Sequence, residues 1–229
     1  MKIKLGSVVA AASGSVGGCV YSHNRYGAYV RQRSVPVNPG SVQQGAVRSA
    51  FSGLATAWNV DLDQSERDAW DAYAAGVPRI DALGQATYIL GLNWFIAVNT
   101  LRIQSGLDRL DAAPILLNHT DLSPVALADF TPPSTASVSF NTADEWATAL
   151  GGFLHISLSR AMNETRLFFK GPFRFAAIVA GAVVPPSSPE SVTAPFAAAV
   201  GQRLYLRAIA CSDDGRLSVP QIQTLIVPT

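Results

Sequence analysis

The spacing of apolar residues changes once along this chain, and this change limits the possible folds more than any other feature. Between residues 41 and 106 apolar residues recur every three or four positions, which is typical of amphipathic helices. From residue 134 onwards they alternate with polar residues, as in strands that bury one face. We therefore predict an α+β chain in which a short helical segment precedes an antiparallel β-sandwich.

Three helices are predicted in residues 41–106. The second opens at a capping box, Asp63-x-x-Glu66, and ends by Gly76. The third covers residues 89–105 and stops at Gly106, which suits a left-handed cap. The aromatic residues of the three apolar stripes, which we expect in a shared core or in an interface, are Phe51, Trp58, Trp70, Tyr73 and Phe95.

Residues 107–133 are rich in Leu, Asp and Pro and are predicted to be a linker, and residues 134–229 are predicted to form the sandwich. Asp214-Gly215 indicates a tight hairpin between the last two strands. The predicted strands are residues 137–140, 153–158, 165–180, 202–211 and 217–227.

Residues 1–40 are predicted to form an extended basic arm. Six Lys and Arg residues precede the first acidic residue, Asp61, and two prolines in residues 34–40 exclude a regular helix. Two short strands are expected around a turn at residues 24–27. Arginine residues interleaved with tyrosine residues are suited to bind either an acidic protein surface or nucleic acid. A protein partner, which includes a second copy of this chain, is favoured because six charges over 48 residues are not a dense patch. The candidate partner-binding residues are Tyr21, Arg25, Tyr26, Tyr29, Arg31, Arg33, Pro36 and Pro39.

Composition favours a subunit of an assembly. Of the 229 residues 48% are hydrophobic and 14% are charged, against about 25% charged in typical soluble domains. The formal net charge is +1, so charge contributes little to solubility. Residues 82–101 carry no charge, but they contain Gln85, Asn93 and Asn99, so we expect no membrane span.

No catalytic, cofactor or metal site is expected. His23, His119 and His155 are isolated from one another and from partners at ligand spacing. Cys19 and Cys211 form no disulfide framework or metal motif. The acidic residues between Asp61 and Asp71 do not follow the calcium-loop pattern. We therefore predict a non-enzymatic protein without cofactors.

The C-terminal segment resembles a fibronectin type III module. The resemblance rests on Pro132-Pro133, on the segment from Tyr205 to Ala210, on Asp214-Gly215 and on Ser218-Val-Pro220. In that family a tyrosine begins the penultimate strand, which implies a core or interface role for Tyr205. The tryptophan of the family's early strands has no clear match, because Trp146 precedes the predicted strand, so an immunoglobulin-like variant stays open.

The N-terminal half is similar to uncharacterised structural proteins of tailed phages and prophages. The residues that carry this similarity are Arg31, Pro36-Val-Asn-Pro39, Gln43-Gln44, Arg48, Phe51, Trp58, Glu66-Arg67-Asp-Ala-Trp70-Asp-Ala-Tyr73-Ala74, Gly84, Gly91-Leu-Asn93-Trp-Phe95, Asn99 and Gly106. The similarity implies a virion protein that is assembled in the host bacterial cytoplasm. We expect a minor capsid or head-decoration protein that docks on the major capsid protein through its arm. A tail or neck protein, or a bacterial surface module that binds carbohydrate, are the alternatives.

Overall fold

The computed structural model describes residues 6, 9, 11–24, 27–35, 37–38, 40–80 and 85–228. These residues form a mixed α/β structure with four helices and several antiparallel sheets. The chain divides into two compact units, Met1–Gly45 and Ala46–Thr229, which are described separately below. None of the helices in the described part of the chain combines the length and the apolar character needed to cross a bilayer.

The first unit contains a small antiparallel sheet. Strands β1 (Gly14–Val16), β2 (Cys19–Asn24) and β3 (Gly27–Gln32) pair in the order β1-β2-β3. Gly17 has a φ of 57°, a left-handed conformation that the turn between β1 and β2 requires. The two strands predicted around residues 24–27 are β2 and β3. Strand β1 was not predicted. Residues 14–32 therefore form a three-stranded sheet, whereas the sequence predicted an extended arm with two short strands.

Three helices follow along the chain: α1 (Val42–Val60), which begins in the last residues of the first unit and continues into the second, α2 (Gln64–Gly76) and α3 (Gly91–Gln104). The capping box predicted for α2 is confirmed. The Asp63 carboxylate accepts a 2.8 Å hydrogen bond from the Glu66 N–H, and the Asp63 N–H donates to the Glu66 carboxylate at 2.9 Å. Gly106 follows α3 with a φ of 75°, as the sequence predicts. The predicted loop between α2 and α3 also contains a two-stranded hairpin, β4 (Arg79–Ile80) and β5 (Ala86–Thr87).

Seven strands form two antiparallel sheets in the second unit. Strands β6 (Ala126–Thr131), β7 (Thr135–Ser139) and β10 (Glu190–Thr193) pair in the order β10-β7-β6. Strands β8 (Phe153–Leu158), β9 (Arg174–Ala180), β11 (Arg203–Cys211) and β12 (Gln221–Ile226) pair in the order β12-β11-β8-β9. A short helix, α4 (Glu145–Thr148), precedes β8. Both sheets contribute to one apolar core, for example through Val138, Ile156 and Leu206.

The strand boundaries differ from the prediction in two places. Only Arg174–Ala180 of the strand predicted over residues 165–180 is a strand, because the preceding loop folds over Tyr205. The Tyr205 hydroxyl donates a 2.6 Å hydrogen bond to the carbonyl oxygen of Arg166 in this loop. The last strand begins at Gln221 instead of 217, since Leu217 forms an isolated bridge with Cys211.

The segment predicted as a linker, residues 107–133, is part of the fold. Strand β6 lies within it, and its first half is bound to the helices by buried side chains. The Trp70 indole N–H donates to the carbonyl oxygen of Asp111 at 2.8 Å. The Asn99 side-chain amide makes two hydrogen bonds with the backbone of Leu110. These bonds satisfy backbone groups that a free linker would expose to water.

The helices pack on the outer face of the four-stranded sheet. Trp70 and Phe95 from α2 and α3 share an apolar cluster with Phe153, Cys211 and Leu217 from the sheet and the connection that follows it. The ring of Phe95 lies 5.7 Å from that of Trp70. The helical segment and the sandwich, which were predicted as separate domains, therefore share a core within Ala46–Thr229.

Candidate functional site

A cleft lies on the outer face of β8 and β11, beside the helices. It consists of two adjoining cavities of about 280 and 300 Å³. Both cavities are lined by Arg79, Arg207, Ile209 and Leu217. The first also contacts Trp94, and the second extends to polar side chains, namely Thr100, Gln104, His155 and Ser157.

The alternation of strand β11 positions Arg207 in this cleft. Leu206 and Ala208 point into the sandwich core, so Arg207 points to the opposite face. On the neighbouring strand β8, Ser157 pairs directly with Arg207. Residues paired in this way share a face of the sheet, which explains why the two side chains line the same cavity.

The connection between β11 and β12 forms one wall of the cleft and is held by polar contacts. The backbone N–H of Ala210 donates a 2.9 Å hydrogen bond to the Ser218 hydroxyl. Arg216 is buried in this connection and forms ion pairs with Asp214, at 2.7 Å, and with Glu145. A wall fixed in this way is suited to hold Leu217 and Ser218 in place against a ligand.

Positive charge dominates the cleft. Arg207 is half-buried, and its pKa is lowered first by burial and then by the positive charge of Arg79. The Arg79 guanidinium carbon lies 5.0 Å from the centre of the Trp94 ring, in cation–π geometry. Within the described part of the chain, no Asp or Glu lines either of these cavities.

His155 is buried in the same cleft and has polar neighbours that the sequence did not indicate. Its Nε2 lies 3.2 Å from the Gln104 side-chain oxygen, and its Nδ1 lies 3.4 Å from the Ser157 hydroxyl. Burial, followed by the charge of Arg207, lowers the pKa of His155 to about 4. The ring is therefore neutral at pH 7 and is a weak base, so the pair with Ser157 lacks the base strength that activates a serine nucleophile.

The other two histidines occupy different environments. His119 lines the first cavity and lies between the carbonyl oxygens of Leu217 and Pro78, each 3.0 Å from one ring nitrogen. His23 is exposed on β2. Among the residues that the structure describes, no group of three or more His, Cys, Asp or Glu side chains is placed to hold a metal ion.

The predicted partner-binding residues are divided between the two faces of the N-terminal sheet, which we define as residues 14–32. Tyr29 and Arg31 pair with Ser22 and Val20, so these two residues share one face. Tyr21 pairs with Val30 and lies on the opposite face. Arg31 and Arg33 are exposed, whereas Tyr21 and Tyr29 are half-buried. Arg25, Tyr26, Pro36 and Pro39 lie outside the described residues.

The predicted core residues are mostly buried. Trp70, Tyr73 and Phe95 are fully buried between α2, α3 and the sheet, and Tyr205 is 5% exposed. Trp58 is half-buried and its ring lies 5.5 Å from that of Phe95. Phe51 is 57% exposed, since burial along α1 begins only at Leu54. Phe51 is therefore a surface residue in this chain and not part of its core.

Sequence reasoning missed the cleft. Arg207 interrupts a run of apolar residues in a predicted strand, and this is the one signal that could have marked it. Arg79 and Gln104 carried no signal, because only the packing of the helices on the sheet brings them to Arg207. The chain shows no significant match to a protein-family model, to a curated protein or to a solved structure.

Proposed function

We propose that this chain is a non-enzymatic structural subunit of a virion, and that it docks on a neighbouring subunit through the N-terminal sheet. The observation that carries the proposal is the burial pattern of this sheet. None of its described residues is buried, and the first buried residue in the described part of the chain is Leu54. A three-stranded sheet needs a covered apolar face for stability, so this sheet suits a role in which a partner covers it.

The charge of the sheet favours an acidic partner surface. Arg31 and Arg33 are exposed at the end of β3, and the chain has no acidic residue before Asp61. The face that carries Arg31 also carries Tyr29, and this combination of a guanidinium with a half-buried ring is common in protein interfaces. The major capsid protein is the partner that we put forward, and the chain is then a minor capsid or head-decoration protein. This assignment rests on the resemblance to tailed-phage structural proteins that we infer from the sequence motifs between Arg31 and Gly106.

The sandwich is proposed to be a fibronectin type III-like or immunoglobulin-like module on the same subunit. Its seven strands form one sheet of three and one of four, and the chain crosses between the sheets after β7, β9 and β10. This topology supports the assignment. Trp146 also supports it, because this ring is fully buried in the sandwich core from α4 and packs on Phe140. The Tyr205 hydroxyl differs from a tyrosine corner, since its acceptor lies 39 residues upstream instead of a few.

Incorporation into particles tests the docking role. Deletion of residues 2–33 is expected to abolish incorporation, because it removes the sheet and leaves the unit Ala46–Thr229 intact. The copy number per particle, measured on gels against the major capsid protein, is the readout. Many tens of copies fit head decoration, and about a dozen fit a neck ring. Normal incorporation of the shortened chain would overturn the proposal.

A charge reversal separates the role of the arginines from that of the sheet as a whole. The double variant Arg31→Glu and Arg33→Glu is expected to lower incorporation in a salt-dependent manner. Arg174→Glu, which reverses an exposed arginine on the sandwich, is the matched control and should leave incorporation unchanged. Nuclease treatment should not release the wild-type protein, and release would assign the sheet to nucleic acid.

A further inference from the structure

The cleft on β8 and β11 is lined by two positive charges, the half-buried Arg207 and the exposed Arg79. The Arg207 guanidinium is half-buried, and its pKa is lowered first by this burial and then by the positive charge of Arg79. The described residues that line the two cavities include no carboxylate. Burial and like-charge repulsion both disfavour the charged form of Arg207, and an anion in the cleft would offset both effects.

The remaining lining fits an anion attached to a small organic group. Two hydrogen-bonding side chains, Ser157 and Gln104, line the second cavity together with Arg207. Apolar side chains, Ile209 and Leu217, line both cavities. The volumes of about 280 and 300 Å³ lie at the small end of the range for ligand pockets.

We propose that this cleft binds an oxyanion, a carboxylate or phosphate group on a small ligand, between the guanidinium groups of Arg79 and Arg207. Guanidinium groups match the geometry of both anions because their N–H donors form parallel hydrogen bonds with two oxygens. The cation–π contact with Trp94 restrains the Arg79 side chain, so this side chain loses less conformational entropy when a ligand binds. The cleft lies in the unit Ala46–Thr229, so this proposal does not depend on the docking role of the N-terminal sheet.

Titration calorimetry of the full-length protein tests the proposal. Inorganic phosphate and succinate serve as separate probes, at an ionic strength held constant with sodium chloride. Saturable binding of at least one probe is expected, and the preferred probe distinguishes phosphate from carboxylate ligands. Arg207→Gln and Arg79→Gln are each expected to weaken this binding by about tenfold or more. Arg79 is exposed, so its replacement tests the site even where Arg207→Gln weakens the fold.

Two control variants make the outcome decisive. Arg174→Gln removes an exposed arginine from β9, outside the cleft, and should bind the probe as the wild type does. Asp81→Asn tests whether the chain supplies its own counter-ion, because Asp81 follows Arg79 closely and lies outside the described residues. Failure of the wild type to bind either probe would overturn the proposal. Binding that appears only in Asp81→Asn, or that survives both cleft variants, would overturn it as well.

Discussion

At the scale of single residues, the burial of His155 makes the stability of the fold sensitive to mild acid. The pKa of His155 is about 4 in the folded chain, whereas that of an unfolded chain is near the ordinary value of 6.5. Between these values the unfolded state binds more protons than the folded state, so the free energy of unfolding falls as the pH falls. The stability that the neutral, buried His155 contributes is fully present above pH 6.5 and is lost as the pH falls to 4.

We expect the protonation of His155 in the unfolded state to lower the free energy of unfolding by about 2 kcal/mol between pH 7 and pH 5. Urea unfolding at the two pH values measures it, with His155→Gln as the control because glutamine keeps a neutral polar group in the same place. The wild type should lose about 2 kcal/mol more than the variant over this interval. Asp63 and Asp214, whose pKa values are lowered, lose their charge below pH 3.8 and do not contribute in this window. An equal pH dependence in both proteins would contradict the prediction.

Residue-scale features were predictable where they are local in sequence. The capping box of Asp63 and Glu66 and the left-handed Gly106 depend on a few consecutive residues, and both are present. The environment of His155 was not predictable, because Gln104 and Arg207 lie 51 and 52 positions away in the chain. Those contacts exist only once α3 has packed on the sheet.

At the scale of elements, the close approach of α2 and α3 depends on Gly91. A Cβ atom built on Gly91 would lie 2.7 Å from the backbone nitrogen of Asp71 on α2. The Gly91 N–H also donates a 3.0 Å hydrogen bond to the Asp71 carboxylate. Any side chain at this position therefore pushes the first turn of α3 away from α2.

Gly91→Ala is expected to lower the free energy of unfolding by about 1–3 kcal/mol, as overpacking does. Gly53→Ala is the matched control, since a Cβ atom at Gly53, in the middle of α1, meets no atom within 4 Å. The control should raise stability by about 0.5–1 kcal/mol, because alanine loses less backbone entropy in a helix than glycine does. Denaturant unfolding of both variants measures the difference. A stabilising Gly91→Ala would show that the helices are free to separate.

Element prediction failed where local propensity and tertiary context disagree. Strand β6 has the sequence Ala-Leu-Ala-Asp-Phe-Thr, in which only Phe130 and Thr131 favour strands, and it was assigned to the linker. Residues 165–173 look like a strand but form the loop that covers Tyr205, with the Phe169 ring 5.5 Å from the Tyr205 ring. In both places pairing or packing with distant residues decides the structure.

At the scale of the whole molecule, the helices and the sandwich are joined because both contribute side chains to one apolar cluster. Trp70 and Phe95 contact the same cluster as Phe153 and Cys211, and the thiol of Cys211 is so enclosed that burial raises its pKa to about 12. The sequence suggested a boundary between residues 106 and 134 because the apolar period changes there. A change of period marks a change of secondary structure, and it does not require a separate core.

The shared cluster predicts that the helices and the sandwich unfold together. Trp70→Ala should lower the free energy of unfolding by about 3–5 kcal/mol, the usual cost of removing a buried aromatic side chain. Hydrogen exchange should show this loss in the amides of β8 and β11 as well as in those of α2 and α3. Phe51→Ala, at an exposed site on α1, is the control and should change stability by less than about 0.5 kcal/mol. If Trp70→Ala accelerates exchange in the helices while β8 and β11 stay protected, the sandwich has a core of its own and the boundary suggested by the sequence is a domain boundary.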